Sequence, residues 1–173
     1  FMWYRPEIAD RDMDQIKAMG FTWVKQQFAW RDIEGAAKGA FDWSRPDEII
    51  YRANVKGLDV LARMDNAPEW AAPGCFDSAT ASMGPARNMK DWTDFLTAFA
   101  TRYRGRVRAY QIWNQPNLAR EWCRRPPNPA EYAALLKAAY GAIKAADQRA
   151  DMAFVALAET GQRPAPLHHG RRQ

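Results

Sequence analysis

The chain has 173 residues, 47% hydrophobic and 26% charged, with a formal net charge of +5. That is enough for one domain with a sizeable core, in an ordinary globular composition. No apolar run approaches the ~20 residues that a membrane-spanning helix needs, so no membrane partner is expected. The basic residues form no single block: Arg102, Arg104, Arg106 and Arg108 straddle a helix end and the next strand and read as a solvated face. No zinc-finger, RNA-binding or Gly-rich phosphate motif accompanies them, and no nucleic-acid partner is expected.

Phe1 to Tyr4 looks like the end of an earlier strand. The start at Phe1, with no initiator Met and no visible leader, reads as a trimmed N-terminus and assigns no compartment. A helix–glycine–strand pattern then occurs three times. Met13, Ile16 and Met19 recur at helical spacing over 12–19, Gly20 follows, and then a strand over 21–29. Helix 46–55, with Ser44 as its cap, leads through Gly57 to a strand over 58–64. Trp92, Phe95, Leu96, Phe99 and Tyr103 form one apolar helix face after Asn88, Gly105 follows, and a strand runs over 107–113. Glycine suits the left-handed residue just past a helix end, and a strand a few residues later is the short loop of an alternating fold. Asn128-Pro129-Ala130-Glu131 is the clearest helix start: a cap, a proline at the first helical position and an acid at the third. That helix runs to about Ala146, and a last strand is expected over 152–158. Residues 161–173 have no apolar periodicity and are expected to form an irregular tail, distinct from the domain over 1–160.

Strands alternating with helices imply right-handed crossovers and a parallel α/β sheet. Ligands of such sheets meet the C-terminal strand ends. Those ends carry Trp30, Arg31 and Asp32, then Asp65, Asn66 and Trp70, then Trp113, Asn114, Gln115, Asn117, Glu121 and Trp122, then Glu159. Rings with amides, carboxylates and arginine suit a polyhydroxylated ligand. Taken singly, each tryptophan also fits a rim-of-core residue, and Asn-x-Pro-Asn a plain turn. Glu159 reads as a solvated loop acid or, in a symmetric assembly, as a carboxylate brought near Gln115. Cys75 and Cys123 lie in loops after adjacent strands, with no Cys-x-x-Cys pair to suggest zinc. They are two reduced thiols, or a bridge if their Cα atoms come within ~7 Å. No metal or organic cofactor is implied.

Tyr110 to Trp122, YQIWNQPNLAREW, resembles the IWNEPN segment of clan A glycoside hydrolases, especially the β-xylosidase and α-L-iduronidase-like group and neighbouring cellulase-like barrels. GFTWVKQQFAW at 20–30, GLDVLARMDNAPEW at 57–70 and NPAEYAALLKAAYGAIKAAD at 128–147 look like the second strand, the third strand and the helix after the fourth. The resemblance implies an eight-fold barrel, no cofactor, and a carbohydrate partner. It implies a retaining mechanism with two carboxyl groups about 5–5.5 Å apart. It places the acid/base position at Gln115 and a sugar-hydroxyl ligand at Asn114. Trp113 and Trp30 fall near the site, and Trp70 and Trp122 are further expected binding residues. Gln115 is an amide and cannot act as general acid or base, a loss of about 10²–10⁴-fold in rate.

The stretch ends after the fifth strand of that pattern, where such barrels normally need ~250 residues. The expected architecture is therefore a half TIM-type (βα) barrel. Two open strand edges and an uncovered apolar sheet face would then favour self-association, most simply as a two-fold homo-oligomer. An open, doubly wound sheet is the competing architecture. Three functional readings follow: an impaired glycosidase-like half-barrel with weak carbohydrate binding, a structural oligomer without catalytic role, and a Glu-to-Gln knockout of an active enzyme.

Overall fold

The computed structural model describes residues 5–153, 155 and 157–159. Four parallel strands, β1 (Trp23–Ala29), β2 (Asp59–Asp65), β3 (Ala109–Ile112) and β4 (Asp151–Ala153), lie side by side in chain order. Between them run α2 (Trp30–Ile33) and α3 (Ser44–Val55), then α4 (Met89–Arg102), then α5 (Pro129–Ala146); α1 (Pro6–Ala18) precedes β1. A sequential strand order is that of a barrel wall. A doubly wound sheet reverses direction at a switch point, so that alternative is excluded.

The helix boundaries follow from local chemistry. Asn128 accepts from the backbone N–H groups of Ala130 and Glu131, and Pro129 occupies the first turn of α5. Asn88 caps α4 through Lys90 N. The start of α3 differs in detail: Ser44 lies inside the helix, and Asp42 accepts from its N and Oγ. Gly20 and Gly57 take φ of +85° and +69°, closing α1 and α3 so that the chain turns directly into the next strand.

Register sets the two faces of the sheet. Phe28, Met64 and Ile112 lie abreast, as do Ala62 and Tyr110 one pleat away, and all are buried. Against them pack Trp92, Phe95, Leu96 and Phe99 of α4 and Ile49, Ile50 and Ala53 of α3. The Phe99 ring stands 5.2 Å from Phe28 and 6.2 Å from Tyr110. The opposite face carries Lys25, Gln27 and Arg63, exposed or half-buried, with Gln111 beside Arg63 in register. The face expected to be apolar is thus largely polar. In a closed barrel it would line the interior, and its side chains tolerate water.

Of the strand expected over 152–158, among the described residues Asp151–Ala153 pairs with β3, while residues 155 and 157–159 belong to no strand. The expected strand end at Phe1 to Tyr4 and the tail over 161–173 lie outside the described residues.

Candidate functional site

β3 ends at Ile112, and the chain then makes a turn in which Trp113 and Gln115 both adopt left-handed backbone, φ 69° and 41°. Non-glycine residues rarely sit there, and such strain concentrates at ligand-facing turns. The turn is closed by Leu118 N donating to Gln115 O at 3.0 Å, and a 3-10 turn over Ala119–Trp122 follows. Trp122 Nε1 donates to Pro116 O, and Trp113 Nε1 to Glu121 O. Asn114 and Gln115 are half-buried at the rim. Arg120 Nη2 donates to Gln115 Oε1 at 2.9 Å. Nothing in the sequence pattern marked Arg120, because an exposed basic loop residue carries no signal of its own.

The expected aromatic residues fall into two groups. Trp30 and Trp113 are wholly buried and Trp122 nearly so. Trp30 stacks on Phe95 at 5.1 Å and meets Trp70 edge-on at 5.4 Å, and its Nε1 donates to Glu34 Oε2 at 2.6 Å. Trp113 and Trp122 stack on one another at 6.4 Å. Trp92 links Trp30 and Trp113, at 5.5 and 6.2 Å, so the buried rings form a continuous floor under the loops, closed to a ligand in this conformation. Trp70 is half-buried, its indole N–H held by Glu34 O. Strand-end spacing does not distinguish a ring facing solvent from one facing α4, since both sit where the chain leaves the sheet.

Besides Glu34, which accepts from Trp30, the carboxyl groups of Asp65 and Glu121 are buried beneath the rim. Asp65 Oδ1 accepts from Gln27 Nε2 at 2.7 Å. Its other oxygen lies 2.8 Å from Arg63 Nε, but the N–H is not aimed at it, so both atoms remain without a hydrogen bond. Burial raises the Asp65 pKa, opposed by the Arg63 charge. Glu121 is buried with Oε2 unpartnered. Burial first, and then the Asp65 charge, push its carboxyl up to about 7, with Arg120 opposing. Among the described residues no group of three or more His, Cys, Asp or Glu could hold a metal ion.

Cys75 and Cys123 are bridged, with Cα atoms 4.6 Å apart. The bridge ties the loop after β2 to the loop bearing Gln115, and backbone bonds reinforce it: Met83 N to Arg120 O at 2.7 Å and Cys123 N to Met83 O at 2.6 Å. On the other side, Asn117 donates to Ala158 O at 2.7 Å and accepts from Ala158 N at 2.9 Å. Glu159, the next residue, is exposed.

A parallel sheet wound in chain order, with its loop residues gathered at the C-terminal strand ends, defines a half TIM-type (βα) barrel. The resemblance to clan A glycoside hydrolases is borne out by two comparisons. A family model described as β-galactosidase (glycoside hydrolase family 42) matches residues 1–75. A family 39 glycoside hydrolase from Bacteroides cellulosilyticus WH2 superposes with TM-score 0.69 at 21% identity, over 87% of this chain and 29% of its own. A β-galactosidase from the psychrophilic Marinomonas ef1 gives 0.66 at 15% identity, over 87% of this chain and 35% of its own. The GH39 enzyme from Xanthomonas axonopodis pv. citri gives 0.64 at 16% identity, over 86% and 31%. The chain thus spans about a third of the length of these structures. No curated protein sequence matches it.

Proposed function

We propose that the chain is the N-terminal half of a retaining glycosidase-type barrel in which O-glycoside cleavage is impaired and weak carbohydrate binding remains. The observation that carries this reading is the amide at Gln115, on the strained turn where β3 delivers its residues to the rim. An amide neither gives a proton to a leaving oxygen nor takes one from water, which removes about 10²–10⁴-fold in rate. Binding falls to Asn114 and Gln115, with Trp70 at the rim, over the floor of Trp30, Trp113 and Trp122. The test combines two assays on the purified chain. Aryl xylosides, glucosides, galactosides and arabinosides should release no phenol above background. The side-chain amide signals of Asn114 and Gln115 should shift saturably with sugar in 15N–1H spectra. Turnover in the ordinary enzyme range of about 1–10³ s⁻¹ refutes the impairment. Static amide signals refute the binding.

A second reading, a structural oligomeric half-barrel, is supported by the exposed Phe21 and Trp23 at the start of β1, 62% and 44% accessible. The outer edge of β1 also has no strand partner among the described residues. Two copies meeting there would cover both. A monomer in sedimentation at micromolar concentration rules this reading out.

A further inference from the structure

Both cysteines of the bridge line a cavity of about 470 Å³ between the starts of α4 and α5 and the loops after β2 and β3. Pro73, Pro85, Met89 and Leu135 give it apolar walls, and Arg87, Arg125 and Glu131 are its charged residues. A bridge sealed in a core is out of reach of any thiol, whereas this one forms part of a cavity wall. Cys75 is 8% accessible and Cys123 is half-buried, so Cys123 is the easier to reach. Cys123 and Arg124 hold left-handed backbone in succession, φ 57° and 62°, which non-glycine residues adopt at a cost. Strained or exposed bridges are the labile ones.

The surroundings of Cys75 suit a departing thiolate. Arg87 Nη2 donates to Pro73 O at 3.4 Å and Arg124 Nη2 to Gly74 O at 3.2 Å, the two carbonyls that precede Cys75. Of the nearby carboxylates, Asp77 lies 3.6 Å from Arg124, Glu131 lies 3.1 Å from Arg125, and Glu69 accepts from Gly74 N at 2.8 Å. Arg87 has no carboxylate partner among the described residues. A cation beside a thiol favours its thiolate, which leaves faster.

We propose that the Cys75–Cys123 bridge is a thiol-exchange site, where a low-molecular-weight thiolate enters the cavity and attacks Cys123 Sγ while Arg87 assists the departure of Cys75. A bond forms between the entering sulfur and Cys123 Sγ, and the bond to Cys75 breaks, its electron pair leaving on Cys75 Sγ. A second thiolate attacks the entering sulfur, freeing the small disulfide and the Cys123 thiolate. Two thiols are oxidised and the bridge is reduced. The cavity has room for the adduct, and the backbone bonds of Met83 with Arg120 and Cys123 keep the loops joined, so exchange takes place on the folded chain. None of this depends on a sugar at the rim.

Mercaptoethanesulfonate is the probe. N-ethylmaleimide stops the exchange at intervals, and mass spectrometry counts and locates the adducts. The bridge should open at a rate proportional to thiol concentration, with the adduct on Cys123 and maleimide on Cys75. Adding about 1 M urea should change the rate by less than about twofold, whereas a route through the unfolded chain would gain about thirtyfold. Arg87→Gln should slow opening about two- to tenfold, the effect of one charge near the reacting sulfurs, and Arg87→Lys should restore it. A bridge that stays closed to the thiol, or opens at a rate rising steeply with urea, overturns the proposal. So does an adduct carried mainly by Cys75, or an Arg87→Gln protein that reacts as fast as the unaltered one. Circular dichroism verifies folding, and should Arg87→Gln misfold, the urea series and the adduct position still decide.

Discussion

Removing the Cys75–Cys123 bridge should lower stability by about 2–4 kcal/mol. The two residues are 48 apart in sequence, and they close a loop containing all of α4 and β3. For a loop of this length, chain entropy alone gives about 4 kcal/mol at 25 °C, set by the freedom that the unfolded chain regains. The native state should change little, because Met83 still pairs with Arg120 and Cys123 through the backbone. Urea denaturation of the Cys75→Ala/Cys123→Ala protein against the oxidised chain measures the difference. With a slope of about 2 kcal/mol per molar, the midpoint should fall by about 1–2 M. A second arm uses Gly84, where an added Cβ would lie 3.1 Å from Cys75 Sγ, an atom the double alanine variant lacks, while its 2.9 Å approach to Cys123 Cβ is common to both proteins. Gly84→Ala should therefore cost more in the bridged protein than in the bridge-free one. An unchanged midpoint on losing the bridge, together with equal costs for Gly84→Ala in both backgrounds, would show that the two loops are not clasped as described.

Glu121 should make stability fall on the alkaline side. Its folded carboxyl is pushed from the ordinary 4.5 up to about 7, so the folded chain favours the neutral form. That contribution is intact below about pH 4.5 and fades as pH rises through about 7. Thermal midpoints between pH 5 and 8 should decline less in Glu121→Gln than in the unaltered protein; parallel curves would contradict the burial argument. Asn128→Ala should cost about 1 kcal/mol, since the side chain satisfies two backbone donors of α5. Amide hydrogen exchange in the first turn of α5 checks it, and unchanged protection there would count against the cap.

Much of the fold was legible because local chemistry agreed with the global pattern. Asn128-Pro129 and Gly57 mark element ends by capping and left-handed geometry, which depend only on neighbouring residues. That the sheet is parallel followed from the alternation of strands and helices; its order, which separates a barrel wall from a doubly wound sheet, did not. Burial at the strand ends was not legible. Trp30 and Trp113 turn inward because α4 places Trp92 and Phe95 against them, a contact between segments some 60 residues apart for Trp30 and Phe95. The polar character of the open face was missed for a related reason. Lys25, Gln27, Arg63 and Gln111 read singly as ordinary strand residues, and only register gathers them on one side. The position of Gln115 was visible in its motif, whereas Arg120, which donates to its amide oxygen, became identifiable only in three dimensions.

The reciprocal bonds between Asn117 and Ala158 behave as one additional rung of sheet built from a side chain. They carry the alignment of β3 and β4 past the last true strand pair at Gln111 and Ala153. A displacement of the segment around Ala158 would consequently be passed to the strained turn at Gln115. A spectroscopic label near Ala158 would report events at the rim without altering Asn114 or Gln115.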